Sequence, residues 1–133
     1  MTRKSKRSLV FFIDRSLGGR IVAKALREAG AHVETQDSHF PQDTPDVEWL
    51  TAVGQHGWIV LSKDETILRN PVEREALHAA NVRAFFLTKQ AMTGPEMSAL
   101  FVKVLRGMEN RAISQPAPFI YKISRTGHFT RVK

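Results

Sequence analysis

At 133 residues, 42% hydrophobic and 25% charged, the chain has the size and mix of one globular domain, too short for two. It has no cysteine, which excludes disulfides and thiolate metal sites and suits a reducing cytoplasm. Twenty Lys and Arg against thirteen Asp and Glu leave a net charge of +7, an excess that favours anionic partners, nucleic acid above all.

Residues 1–7 include TRKSKR, four of the twenty basic residues, and read as a disordered basic tail ahead of a single domain over 8–133. The apolar run LVFFI at 9–13 is shorter than the ~7–15 residues of a signal-peptide core. No stretch nears the ~20 apolar residues of a membrane span, so a soluble, cytoplasmic protein is expected. LVFFI predicts instead a strand buried on both faces, ended by Asp14.

From Ser16 the period becomes helical, with Leu17, Ile21, Val22, Ala25, Leu26 and Ala29 on one stripe and Gly30 as the stop. AHVET (31–35) predicts a short second strand and QDSHFPQD a polar loop. Thr44-Pro45 opens a helix to about His56, with Thr44 as N-cap, Val47, Leu50 and Val53 inward, and Gly57 ending it. WIVLS (58–62) is a third strand, stopped by KDE.

Asn70-Pro71-Val72-Glu73 caps a helix to about Ala80, and VRAFFL (82–87) is the fourth strand. Thr93-Gly94-Pro95-Glu96 matches a capping box. The helix behind it carries Met97, Leu100, Phe101, Val104, Leu105 and Met108 as a core stripe. After the link SQPAP, FIYKIS, a RTG turn and HFTRV read as an antiparallel hairpin at a sheet edge. The alternation of strand and helix predicts an α/β sandwich around a mostly parallel sheet.

In such a sheet, ligands bind beyond the carboxyl ends of the strands. Asp14 follows the first strand, Asp64 the third, and Asp46 begins the helix between the second and third strands. Three carboxylates from separate segments therefore share one edge. Clustered carboxylates repel unless a cation lies among them, and an oxygen-only set suits Mg²⁺ or Mn²⁺. Such an ion activates water and neutralises phosphoryl charge, which in a basic protein points to phosphodiester hydrolysis. Each residue also has a structural role open to it: Asp14 as a helix cap, Asp46 at its helix dipole, Asp64 in a turn.

FFIDRSLG, HFPQDTPDVEWL, GWIVLSKD and ALHAANVRAFFLT, in this order, resemble the PIN-like domains grouped with VapC-type toxins, over about residues 8–132. The resemblance implies a three-layer α/β fold and a metal-dependent ribonuclease of the toxin–antitoxin kind, with RNA and an antitoxin protein as expected partners; the end of the last helix's apolar stripe is where a second copy of the chain is expected to dock. It assigns Asp14, Asp46 and Asp64 to the metal, and cleavage of single-stranded RNA to a metal-bound water attacking phosphorus in line. A fourth position falls among Glu65, Asn70 and Glu73 without a clear winner. Arg15, Lys63, Arg69 and Arg74 are candidates to grip flanking phosphates, each with a solvated surface charge as the alternative.

Two other enzyme layouts fit less well. A receiver-like phosphoacceptor needs an acidic pair where Arg15 follows Asp14, and a lysine after a fifth parallel strand. A haloacid-dehalogenase-like phosphatase needs an aspartate where Ser16 stands. From a different class, a PIN-like module that binds RNA or protein without cleaving remains the alternative.

Overall fold

Val10–Ile13 (β1) is apolar at every position, and its last three side chains are shut from water because helices cover both faces of the strand. In the computed structural model, residues 9–88 and 91–132 are described; the tail expected over 1–7 lies outside the described residues. β1 pairs in parallel with His32–Thr35 (β2) on one side and Ile59–Ser62 (β3) on the other. Arg83–Leu87 (β4) and Phe119–Ile123 (β5) continue the parallel sheet, and Phe129–Val132 (β6) closes it antiparallel, giving the order β2-β1-β3-β4-β5-β6.

Alternation along the strands builds two cores. Phe11, Ile13, Leu61 and Phe85 pack against Ile21–Glu28 (α1) and Gly94–Ser114 (α6). Phe12, Val60 and Phe86 pack against Asp46–His56 (α3), Thr66–Arg69 (α4) and Pro71–Ala79 (α5), with Trp49 and Leu77 fully buried. The expected three-layer sandwich with a mostly parallel sheet and a C-terminal hairpin is what forms. The capping box is also present: Thr93 Oγ1 accepts from Glu96 N–H, while Glu96 accepts from Thr93 N–H. Asn70 Oδ1 accepts from the N–H groups of Val72 and Glu73, and Gly57 ends α3 in the left-handed region at φ 72°.

Several local expectations are corrected. The helix after Asp14 is broken: a 3-10 turn, Arg15–Leu17, stops at Gly18 (φ 87°), and α1 begins only at Ile21, which is exposed. The expected loop after β2 contains a short helix, Gln36–His39 (α2), and α4 was likewise unforeseen. Thr44 does not cap α3; its hydroxyl donates to the Pro41 carbonyl, and Pro45 takes the cap position without a side-chain bond. Val47 faces solvent while Trp49 takes the inward place. β5 is itself a fifth parallel strand before it turns into the hairpin. The residues after it, SRTGHFTRV, hold no lysine, so that position and Arg15 beside Asp14 both still separate this chain from a receiver-like layout.

From β1 the chain crosses to β2 on one side and later to β3 on the other, so the connections diverge between β1 and β3. Asp14 and Asp64 leave the sheet at that point. The layer opposite α1 and α6 is spaced by backbone contact: a Cβ on Gly54 of α3 would lie 2.3 Å from the Ala80 carbonyl oxygen at the end of α5. Gly54→Ala should therefore destabilise the protein by about 1–3 kcal/mol, although alanine is worth about 1 kcal/mol over glycine in a free helix. Equilibrium denaturation checks this, and an unchanged or raised midpoint would show that the helices are not held apart at this contact.

Candidate active site

The β1–β3 ladder extends one residue beyond β1, because Asp14 N–H donates to the Leu61 carbonyl (3.0 Å). That bond fixes the Asp14 side chain at the carboxyl end of the sheet with only 6% of the residue exposed. Two hydroxyls hold its Oδ2: Ser62 Oγ at 2.5 Å and Ser16 Oγ at 3.0 Å. Each serine accepts in turn from a backbone N–H, Ser62 from Asp64 (2.9 Å) and Ser16 from Lys63 (3.1 Å). One hydroxyl proton aimed at Asp14 and one lone pair taken by the chain set the orientation of both serines. Asp14 stands at the cap position of the turn that follows but makes no side-chain capping bond there.

Asp64 and Asp46 are each anchored through one oxygen as well. Asp64 Oδ1 accepts from Thr66 N–H (3.1 Å) and from the Thr66 hydroxyl, so the turn role foreseen for it is also real. Asp46 Oδ1 accepts from the indole N–H of the buried Trp49 (2.7 Å). Anchoring by a single oxygen leaves the other available to a ligand.

Glu73, in the first turn of α5, joins them. Glu65 is taken by Lys122 of β5 (3.2 Å) and Asn70 by its cap, which leaves Glu73 as the remaining candidate for a fourth position. Its Oε1 is shut from solvent and has no hydrogen-bond partner. Burial pushes the Glu73 carboxyl above the ordinary glutamate range, and the charges of Asp46 and Asp64 push it further, as does a hydrogen bond that its protonated form makes to Asp46. Burial likewise raises Asp14, against the opposing pull of the Ser62 and Ser16 hydroxyls, and the charge of Asp64 adds to the rise.

The charge of Asp64 acts on both Asp14 and Glu73, and that of Asp46 acts on Glu73. Among the described residues, no three Asp, Glu or His side chains close around one point tightly enough to cage an ion. The donor set nevertheless fits a hard cation such as Mg²⁺, which commonly takes one or two carboxylates and keeps several waters. The buried Glu73 oxygen, which has no donor when both acids are ionised, is the kind of atom that a proton shared with Asp46, or such an ion, satisfies.

The basic candidates divide. Arg15 is engaged at the surface by Asp37 (2.5 Å) and by the carbonyls of Gln42 and Phe40. Lys63 and Arg69 are exposed, and Arg74 makes one long contact to the Leu68 carbonyl (3.5 Å). Ser16 and Ser62 are the site residues that the sequence did not single out, while Glu73 was one of the three left open for a fourth position. For the serines, their place two residues from an aspartate, in DRS and SKD, is the only local hint.

A family model described as "PIN like domain" matches residues 9–89. A Mycobacterium tuberculosis protein named "Putative ribonuclease VapC45" is 33% identical over 116 residues, covering 84% of this chain and 83% of the relative. No solved structure matches the chain.

A raised carboxyl pKa makes the folded state bind its proton more tightly than the unfolded chain does. The linked stability is full below the ordinary aspartate value of 3.8 and is lost as the pH rises through the raised folded value. Asp14→Asn removes that loss while its side-chain oxygen still accepts from Ser62 and Ser16. The variant should melt higher than the native protein at pH 7 without added metal, and the gap should shrink as the pH falls toward 3.8. A variant that melts lower at pH 7 would mean that burial of the Asp14 charge is not a cost.

Proposed function

The chain belongs to the PIN-like domain family, and on that premise we propose that it is an endoribonuclease that cleaves single-stranded RNA with Mg²⁺ or Mn²⁺, as the toxin of a toxin–antitoxin pair. The observation that carries this reading is the set of acids whose charges act on Asp14 and Glu73, each of the three aspartates anchored through one oxygen. The similarity to a relative named as a ribonuclease supports the reaction class, and the charge of +7 suits the substrate.

Asp14 and Asp64 would hold the cation, with Asp46 and Glu73 extending the acidic set. A divalent ion bound there neutralises charge that builds on the phosphoryl oxygens and lowers the pKa of a coordinated water. The chain does the rest of the positioning. Ser62 and Ser16 keep Asp14 from rotating, because both donate to the same oxygen. Trp49 does the same for Asp46 from within the core. Glu73, pushed up by burial and by its acidic neighbours, holds a proton at higher pH than an ordinary glutamate. In the hydrolysis, a bond forms from water oxygen to phosphorus, the ester P–O bond breaks, and a proton passes to the leaving oxygen. Lys63, Arg69 and Arg74 are left to meet phosphates, since Arg15 is engaged within the fold. An antitoxin protein and a second copy of the chain are the partners that accompany this reading.

The purified protein should cleave single-stranded RNA when Mg²⁺ or Mn²⁺ is present and stop on addition of EDTA. Asp14→Asn and Asp64→Asn should each abolish cleavage while leaving the fold intact by circular dichroism. Ser62→Ala, which removes a positioning hydroxyl, should weaken metal affinity by roughly 10–100-fold, measured by calorimetry. Cleavage unchanged in both aspartate variants, or no heat of metal binding to the native chain, would favour a binding module over an enzyme.

A further inference from the structure

Two cavities lie on the side of α1, and the smaller of them starts beside the acidic site. The smaller, about 330 Å³, is lined by Ser16, Gly19, Arg20, Lys63 and Met97 among others. Ser16 is the residue whose hydroxyl reaches Asp14, so this groove begins at the site itself. Gly19 and Arg20 also line the larger cavity, about 540 Å³, which continues past Lys24, Arg27, Thr35 and Ser38. Through this shared lining of Gly19 and Arg20 the two cavities abut, and together they make a path leading away from Ser16.

The path is electropositive in an unusual way. Arg20, Lys24 and Arg27 face the larger cavity, and the one carboxylate there, Asp37, is neutralised by Arg15 at 2.5 Å. Arg27 gives one N–H to the Val33 carbonyl (2.8 Å). The exposed side chains of Arg20 and Lys24 have no hydrogen bond or ion pair among the described residues. Their placement also works against the helix. Arg20 holds the cap position of α1, no acid stands in its first turn, and Lys24 follows at i+4. A cation at a helix start opposes the dipole, and like charges at i,i+4 repel. An anion seated among them would reverse both costs, and the hydroxyls of Thr35 and Ser38 line the same cavity.

We propose that Arg20, Lys24 and Arg27 form a phosphate subsite for the RNA strand, reached from the acidic crevice along the groove of Ser16 and Lys63. The assignment rests on the ribonuclease reading for its ligand. It puts a phosphate grip on the α1 side of the sheet, in addition to the candidates Lys63, Arg69 and Arg74.

The test uses the full chain in EDTA, so that RNA is bound and not cut, with a fluorescein-labelled single-stranded RNA followed by anisotropy over roughly 50–200 mM salt. Each phosphate contact on a single strand contributes a slope of about 0.7 in log K against log salt, so Arg20→Ala/Lys24→Ala should shrink the slope by about 1.4. The charge-keeping pair Arg20→Lys/Lys24→Arg should retain it, which separates lost charge from a damaged fold. A native protein that binds with a double alanine variant of equal slope overturns the subsite and leaves the ribonuclease reading standing. A native protein with no salt-dependent RNA binding overturns both. If the alanine variant loses binding to poly-glutamate but not to RNA, the cavity serves an acidic protein partner, and the RNA assignment is wrong.

Discussion

The backbone bond from Asp14 to Leu61 carries the central sheet one residue too far for a charged side chain, into a place almost closed to water. An unpaired carboxylate there is costly, and the fold meets the cost with two serine hydroxyls rather than with a cationic side chain. Ser16 comes from the turn after β1 and Ser62 from the last residue of β3, so the same contacts also pin the crossover between the strands. Hydroxyl donors lower the carboxylate's pKa less than burial raises it. The result is an acid that is firmly oriented and whose charge is only partly compensated.

The remaining acids come from the opposite layer, where their spacing is set by packing and not by charge. Asp46 is fixed to Trp49, which is wholly buried under the sheet, and Glu73 rides on α5, whose end abuts Gly54 of α3. Apolar packing therefore holds in proximity groups that repel one another. Structural and functional readings coexist here: Asp64 opens the turn into α4 through one oxygen while its charge reaches Asp14 and Glu73.

Much of the architecture was legible from local pattern. Strands read as apolar runs, the Thr93 capping box and the Asn70-Pro71 start are written in adjacent residues, and the three aspartates fall at strand ends or helix starts. What was not legible has physical causes. Four-residue helices such as α2 and α4 are too short to show a period. The direction of β5 depends on the path of α6 and not on its own residues. Ser62 meets Asp14 across 48 positions of chain, so neither residue reveals the other. Glu73 stood equal with Glu65 and Asn70 until the structure showed those two occupied, one by Lys122 and one by a helix start.

The central claim is that the buried carboxylate of Asp14 and its neighbour Asp64 are arranged for a divalent cation. A crystal of the full chain soaked in Mn²⁺, with its anomalous difference map, tests this most directly. The account predicts a peak in contact with both carboxylates, with Ser62 still donating to Asp14. A peak elsewhere on the molecule, or none at a Mn²⁺ concentration that supports RNA cleavage, would contradict it.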